Sequence, residues 1–193
     1  VDPEVLLRDF SVVFQDVTLF DDTVAGNIRL GRRGASDEEV LAAARAANCD
    51  EFARRLPQGY NTPIGENGAR LSGGERQLTL IARALAQQAR ILLMDEPAAN
   101  LDYGNQFRLL QQVRRLTEQG YTVLLSTHNP EHALRFATHV LALHGGTVAA
   151  CGPVEEMLTE ELLHTLYRIP LTVAQVPVTG ATVRSCVYDP AKP

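Results

Sequence analysis

Apolar residues fall along this chain in two spacings. Continuous runs occur at Phe10-Ser11-Val12-Val13-Phe14, which ends at Gln15, at Ile91-Leu92-Leu93-Met94, and from Tyr121 to Ser126. These runs are strand-sized; at Ile91–Met94 the lack of polar alternation predicts a parallel sheet covered on both faces, and Tyr121 to Ser126 reads as the next buried strand. Elsewhere the spacing is helical. Ser36-Asp37-Glu38-Glu39 reads as a capping box opening a helix to about Ala47, with Val40, Leu41, Ala44 and Ala47 on one face. A short helix is expected over Asp50 to Arg55, then a turn at Pro57-Gln58-Gly59-Tyr60. Ser72 caps a helix running to about Ala86, and Asn105 to Glu118 forms another, stopped by Gly120. Asn129-Pro130 opens a further helix with Pro at its first position. Val140 to Leu143 and Thr147 to Ala150 flank Gly145-Gly146 as a hairpin, and Val154 to Tyr167 is expected to be one helix. Residues 1–8 read as a loop, Gly31 to Gly34 as a basic turn, and Thr23 to Ile28 as a polar and apolar mixture with no assigned element. The tail from Pro170, rich in Val, Thr and Pro, is left as strands or loose chain.

Strands alternating with helices after residue 90 indicate an α/β fold with a parallel sheet. The helix-rich stretch from about 36 to 86 looks like an inserted α-helical subdomain. The whole chain, 1–193, reads as one domain. Its parts are a strand and loop (1–30), a helical subdomain (31–86), an α/β core (87–150) and a C-terminal extension (151–193).

Composition narrows the classes. A length of 193 residues and 45% apolar content suit one globular core. No apolar run approaches the ~20 residues of a membrane span, and no secretory signal stands at the start. A net charge of −5 argues against a nucleic-acid surface. Cys49, Cys151 and Cys186 are odd in number and far apart, so they read as free thiols of a reducing compartment rather than a zinc site. The chain holds a single lysine, Lys192; the other basic residues are arginine.

Two stretches carry chemistry. Leu71-Ser72-Gly73-Gly74-Glu75-Arg76-Gln77 is a small-residue turn opening a helix, where unpaired backbone N–H groups and the positive helix end favour an anion. Ile91-Leu92-Leu93-Met94-Asp95-Glu96-Pro97 is an apolar strand ending in two carboxylates. Asp95 is placed to hold Mg²⁺ and Glu96 to act as general base toward a water. Together they describe phosphate chemistry on a nucleotide. Either alone has a plainer reading, an ordinary N-cap or a carboxylate capping the next helix; the pairing favours the functional one.

This pattern resembles the ATP-binding cassette (ABC) ATPases, from about residue 8 to residue 170, with motifs in the family's order and spacing. The resemblance implies a P-loop NTPase-type sheet, incomplete here, with ATP and Mg²⁺ as cofactors. It implies that Ser72, Gly73, Gly74 and Glu75 form the signature turn and that Glu96 is the catalytic base. Asp95 becomes the Walker-B magnesium ligand. Gln15, followed by Asp16-Val17-Thr18-Leu19-Phe20, resembles the Q-loop glutamine that contacts Mg²⁺ and water. Asn100-Leu101-Asp102 resembles the D-loop, whose aspartate meets the opposing subunit, and His128 resembles the switch histidine at the γ-phosphate. His132, His139, His144 and His164 are assigned to structure or surface.

Two features depart from the family. The pattern G-x-x-x-x-G-K-[ST], whose lysine neutralises the β- and γ-phosphates, is absent. The expectation is a chain that begins after the P-loop and does not hydrolyse ATP by itself. In addition, Val13 to Phe20, Leu56 to Tyr60 and Gly65-Glu66-Asn67-Gly68 resemble exporter-type cassettes. Ala99 to Gln106, Ser126 to Leu134, Gly152-Pro153 and Leu166-Tyr167 resemble ATPases of iron-siderophore, haem or cobalamin importers. The implied function is ATP hydrolysis coupled to transport, with siderophore or another metal chelate as candidate cargo. The implied partners are a second ABC ATPase domain, head to tail, and a transmembrane permease domain, with no nucleic acid. The implied location is the cytoplasmic face of the plasma (inner) membrane. Two alternatives stand beside it: a non-catalytic partner supplying only the signature face, and a soluble non-transport ABC ATPase.

Overall fold

A computed structural model describes residues 8–15 and 18–191. Residues 1–7 of the loop expected over 1–8, and Asp16, Val17, Lys192 and Pro193, lie outside the described residues. The chain divides into two compact units, 1–126 and 127–193.

The first unit is built on a three-stranded sheet. Strands β1 (Phe10–Val13), β2 (Ile91–Met94) and β3 (Thr122–Leu125) pair in parallel, in that spatial order. The register aligns Val13, Met94 and Leu125. Around the sheet lie α1 (Val24–Arg29), α2 (Asp37–Ala46), α3 (Asp50–Ala53), α4 (Gly73–Ala86) and α5 (Tyr103–Glu118), with single 3₁₀ turns at Gly59–Asn61 and Glu66–Gly68. Both capping boxes form. Ser36 and Glu39 close the first turn of α2, and Ser72 and Glu75 that of α4. Helix α4 packs against α1, α2, α5 and β1, so it is the post around which the unit assembles. Its buried stripe includes Leu80, Ile81 and Leu85, in one core with Val24, Ile28, Val40, Phe52, Leu92 and Leu116. On α2 the buried positions are Val40, Ala43 and Ala44, while Leu41 is only half-buried.

A polar clamp fixes the loop after β1 to this post. Asn27 is fully buried on α1. Its Oδ1 accepts from Phe20 N (2.8 Å) and from the Arg83 guanidinium (2.8 Å), and its Nδ2 donates to Phe20 O and Thr23 O. Arg83, on α4, also donates to Asn27 O and Thr18 O and lies over the Phe20 ring. The basic turn at Gly31 passes so close to α4 that a Cβ there would fall 1.9 Å from Arg83 O, so only glycine fits.

Several expectations are corrected. The segment after Thr23 is a helix, α1 (Val24–Arg29), because Thr23 supplies an N-cap, its Oγ1 accepting from Gly26 N at 2.9 Å. Helix α5 begins at Tyr103, since Asp102 is its N-cap. Within the first unit, the described residues cover the sheet on one face. Ser11, Val13, Leu92 and Met94 point into the core beneath α4 and α5, whereas Val12 and Leu124 point outward, and Leu124 is 60% exposed. An apolar run signals burial, but it does not show which chain does the burying.

The second unit carries α6 (Pro130–Phe136), the hairpin β4 (His139–His144) and β5 (Thr147–Pro153), α7 (Val154–Met157), α8 (Glu160–Tyr167), and the hairpin β6 (Leu171–Val178) and β7 (Ala181–Tyr188). The single helix expected over 154–167 is broken at Leu158-Thr159, where Thr159 caps the second piece. The tail forms a regular antiparallel pair. Val154, Leu158 and Leu163 make a small core, against which Leu134, Val140, Tyr167, Leu171 and Val173 pack. Glu131 on α6 clips the second hairpin: Oε1 accepts from Ser185 Oγ (2.8 Å) and Cys186 N, while Oε2 is held by Arg135. No described helix is long and apolar enough to cross a membrane.

One-sided cover of the sheet sets a contrast. Leu92→Ala should cost about 2–5 kcal/mol, and Leu124→Ala less than about 0.5 kcal/mol, in urea unfolding of the 193-residue chain. Equal losses would contradict the exposure of β3.

Candidate functional site

The parallel register brings three strand ends to one edge. Beyond β1 comes Gln15, beyond β2 come Asp95 and Glu96, and beyond β3 comes Ser126. The pairing continues past the strands, since Asp95 N donates to Val13 O and Ser126 N to Met94 O, both at 2.9 Å. Neighbouring strands lie about 4.8 Å apart, so these residues follow one another along one edge of the sheet. The carboxyl ends of parallel strands are where open α/β sheets bind ligands.

Ser126 is the residue that sequence reasoning passes over. Its Oγ donates to Asp95 Oδ1 at 2.7 Å and accepts from Glu96 N at 2.8 Å. One hydroxyl thus sets both consecutive carboxylate residues. Glu96 has φ +39°, a left-handed conformation uncommon for a non-glycine residue. Such a backbone costs about 1–3 kcal/mol and persists where the surroundings hold it; the Ser126 hydroxyl is one such hold. The only sequence signal for Ser126 is a hydroxyl ending an apolar run two residues before His128.

The residues present suit a magnesium ion. Asp95 Oδ1 is engaged by Ser126, and Oδ2 is its remaining carboxylate oxygen at this edge. Among the described residues no cluster of three or more His, Cys, Asp or Glu could hold a metal. A cation here would have one carboxylate and would complete its shell from phosphates and water, the usual situation for Mg²⁺.

The glycine turn lies in the same unit. Ser72 Oγ accepts from Glu75 N (3.3 Å), and Glu75 Oε2 accepts from Ser72 N (2.8 Å). Glu75 Oε1 pairs with Arg55 at 3.0 Å. The Glu75 carboxylate is thus occupied in shaping the turn. Helix α4 has 14 residues, and its first N–H groups, at Gly73 and Gly74, begin a full macrodipole. Both glycines face the segment after β2: a Cβ on Gly73 would lie 3.2 Å from Leu101 Cδ2, and one on Gly74 3.3 Å from the Asn105 amide. Asp102 caps α5 by accepting from Asn105 N (2.9 Å) and Asn105 Nδ2 (2.6 Å). The Asn105 backbone N–H holds its carboxyl below the usual carboxylate range. The structure therefore brings Gln15, Asp95, Glu96 and Ser126 to one edge, and Gly73, Gly74 and the Asp102 segment to one turn.

His128 belongs to the second unit, where it is exposed in the loop before α6 and its carbonyl accepts from Tyr167 OH at 2.9 Å. Of the cysteines, Cys49 is buried and donates to Leu78 O, and burial pushes its thiol well up. Burial likewise raises Cys186 to about 11. All three cysteines are free.

The ABC transporter family profile matches residues 2–99. The chain is 44% identical over 158 residues to the cyclolysin secretion/processing ATP-binding protein of Bordetella pertussis, covering 82% of this chain and 22% of that one. A bacterial Atm1-family ABC exporter solved with ATP bound superposes with a TM-score of 0.68 at 38% identity, over 79% of this chain and 26% of that one. An inward-facing metal-chelate type ABC transporter superposes with a TM-score of 0.79 at 26% identity, over 93% of this chain and 73% of that one. The chain thus spans about a quarter of the length of the secretion protein and the exporter.

Ser126→Ala removes the hydroxyl joining Asp95 to Glu96. A loss of about 1 kcal/mol in the unfolding free energy is expected, with Ser126→Thr near wild type. No loss in the alanine variant would show the bridge to be idle.

Proposed function

Because the chain belongs to the ABC transporter family, we propose that it is an ATP-binding domain that couples ATP hydrolysis to transport across a membrane. The observation supporting this most is the ledge at the end of the parallel sheet, where Ser126 sets Asp95 and Glu96 side by side. Asp95, with Gln15, would hold Mg²⁺. Glu96 would take the proton of the attacking water, and His128 would meet the γ-phosphate. The N–H groups of Gly73 and Gly74, in a turn shaped by Ser72 and Glu75, would meet the ATP of a second ABC domain placed head to tail, and Asp102 would face that domain. Bound MgATP supplies the phosphoryl group and the charge neutralisation that phosphoryl transfer requires. A membrane permease is the proposed second partner, with the chain at the cytoplasmic face of the inner membrane.

These 193 residues contain no P-loop lysine, so the chain alone is proposed to bind ATP weakly and not to turn it over. An export-type transporter is the preferred assembly. The stretch shared with the Bordetella secretion protein is 158 residues long, so it extends past the signature turn into the second half. A metal-chelate cargo is the second reading, favoured by the likeness to the metal-chelate transporter over 93% of the chain. Within the domain, the proposed parts are a sheet strand and loop (1–30), a helical subdomain (31–86), an α/β core (87–150) and an extension (151–193).

Two measurements test the reading. The purified chain should show no Mg-ATPase above background. In a chimaera carrying these residues in place of the matching stretch of the Bordetella protein, ATP should be hydrolysed. There Glu96→Gln should lower kcat about 10²- to 10⁴-fold, the range for a general base. A chimaera whose hydrolysis is unchanged by Glu96→Gln would mark this chain as a non-catalytic partner.

A further inference from the structure

His128 is exposed, yet both of its neighbours are tied to one buried side chain. Asn129 caps α6, its Oδ1 accepting from Glu131 N at 3.0 Å. That bond leaves Nδ2 as the donating end of the amide, and it lies 3.3 Å from Nε2 of His132, a residue only 7% exposed. Nε2 must therefore present its lone pair. In a neutral imidazole the proton then sits on Nδ1, from which it is donated to Thr127 Oγ1 at 3.1 Å. The same hydroxyl oxygen accepts from Asn129 N at 3.1 Å. A closed ring of hydrogen bonds thus joins Thr127, Asn129 and His132 around His128, and Tyr167 OH holds the His128 carbonyl from α8.

We infer that His132 is a positioning residue: its neutral imidazole staples the residues on either side of His128 and so aims the exposed ring, and protonation of His132 releases the staple. Both nitrogens of an imidazolium are donors, so Nε2–H would oppose the Asn129 amide, donor against donor. The inference rests on the nucleotide role proposed for His128, but the staple itself can be measured without nucleotide.

The surroundings favour the neutral form. Burial is the largest influence and lowers the His132 pKa below 6.5; the nearby His128 lowers it too, and Glu131 opposes them. Arg135 lies on the same helix. The elements packed against α6 carry Glu155 and Glu156 on α7 and Arg184 and Cys186 on β7. Since the folded pKa lies below the unfolded one, the unfolded chain binds more protons in the interval between them. Stability therefore rises with pH through that interval; the staple's contribution is fully present above about pH 6.5 and is lost as pH falls through the lower folded pKa of His132.

The test uses the 193-residue chain. Long-range ¹H–¹⁵N spectra at about pH 7.5 should show His132 with its proton on Nδ1. Amide-exchange protection factors at Asn129 and Glu131 should fall about ten-fold as pH is lowered from about 7.5 through the His132 titration, followed in the same spectra, the loss of one hydrogen bond. His132→Phe keeps the buried bulk and should give the low value at every pH. His132→Gln keeps one acceptor and one donor without titrating, and should give the high value at every pH. The inference is overturned by an Nε2–H tautomer, by pH-independent protection in the wild type, or by wild-type behaviour in His132→Phe. If the phenylalanine variant does not fold, the wild-type tautomer and the glutamine variant decide. Normal hydrolysis by the chimaera with His128→Ala would leave the staple standing and overturn only the nucleotide role.

Discussion

Parallel, in-register pairing of β1, β2 and β3 is the constraint from which the rest of the first unit follows. Backbone bonds from Asp95 to Val13 and from Ser126 to Met94 carry that pairing one residue beyond the strands. Because of this, residues separated by more than a hundred positions in sequence end on a common ledge. An antiparallel arrangement would send neighbouring strand ends to opposite edges and could not gather them. The carboxylates then need only one hydroxyl to fix them, and Ser126 sits where the register delivers it.

Much of this arrangement is legible in the sequence. Capping boxes are local, so Ser36 with Glu39 and Ser72 with Glu75 can be read from spacing alone. The apolar runs announce all three strands of the sheet. The carboxylate pair is legible because two acidic residues after an apolar run have few plainer uses. The coarse family assignment needs only the order of such motifs.

What escapes reading depends on distance in space. Ser126 matters through its pairing partners, Asp95 and Glu96, some thirty residues earlier. The exposure of Leu124 depends on what covers a strand, which an apolar run does not encode. The break at Leu158-Thr159 is hidden because a threonine can cap a helix or simply occupy one. His132 reads as a surface or structural histidine, since its partners are a hydroxyl and an amide whose orientation follows only from the Glu131 backbone bond. The strained turn at Glu96 leaves no compositional trace, because no glycine marks it.

The clamp of Asn27 and Arg83 has a mechanical consequence. It bolts the Thr18–Phe20 loop to α4 near the far end of that helix from Gly73. From Arg83 back to Gly73 is ten residues, a lever arm of about 15 Å at 1.5 Å per residue. A tilt of about 10° imposed at the loop would swing the glycine turn by roughly 2.6 Å over that arm, about the length of a hydrogen bond. A small displacement of the loop after β1 is thereby magnified at the glycine turn at the other end of one stiff rod.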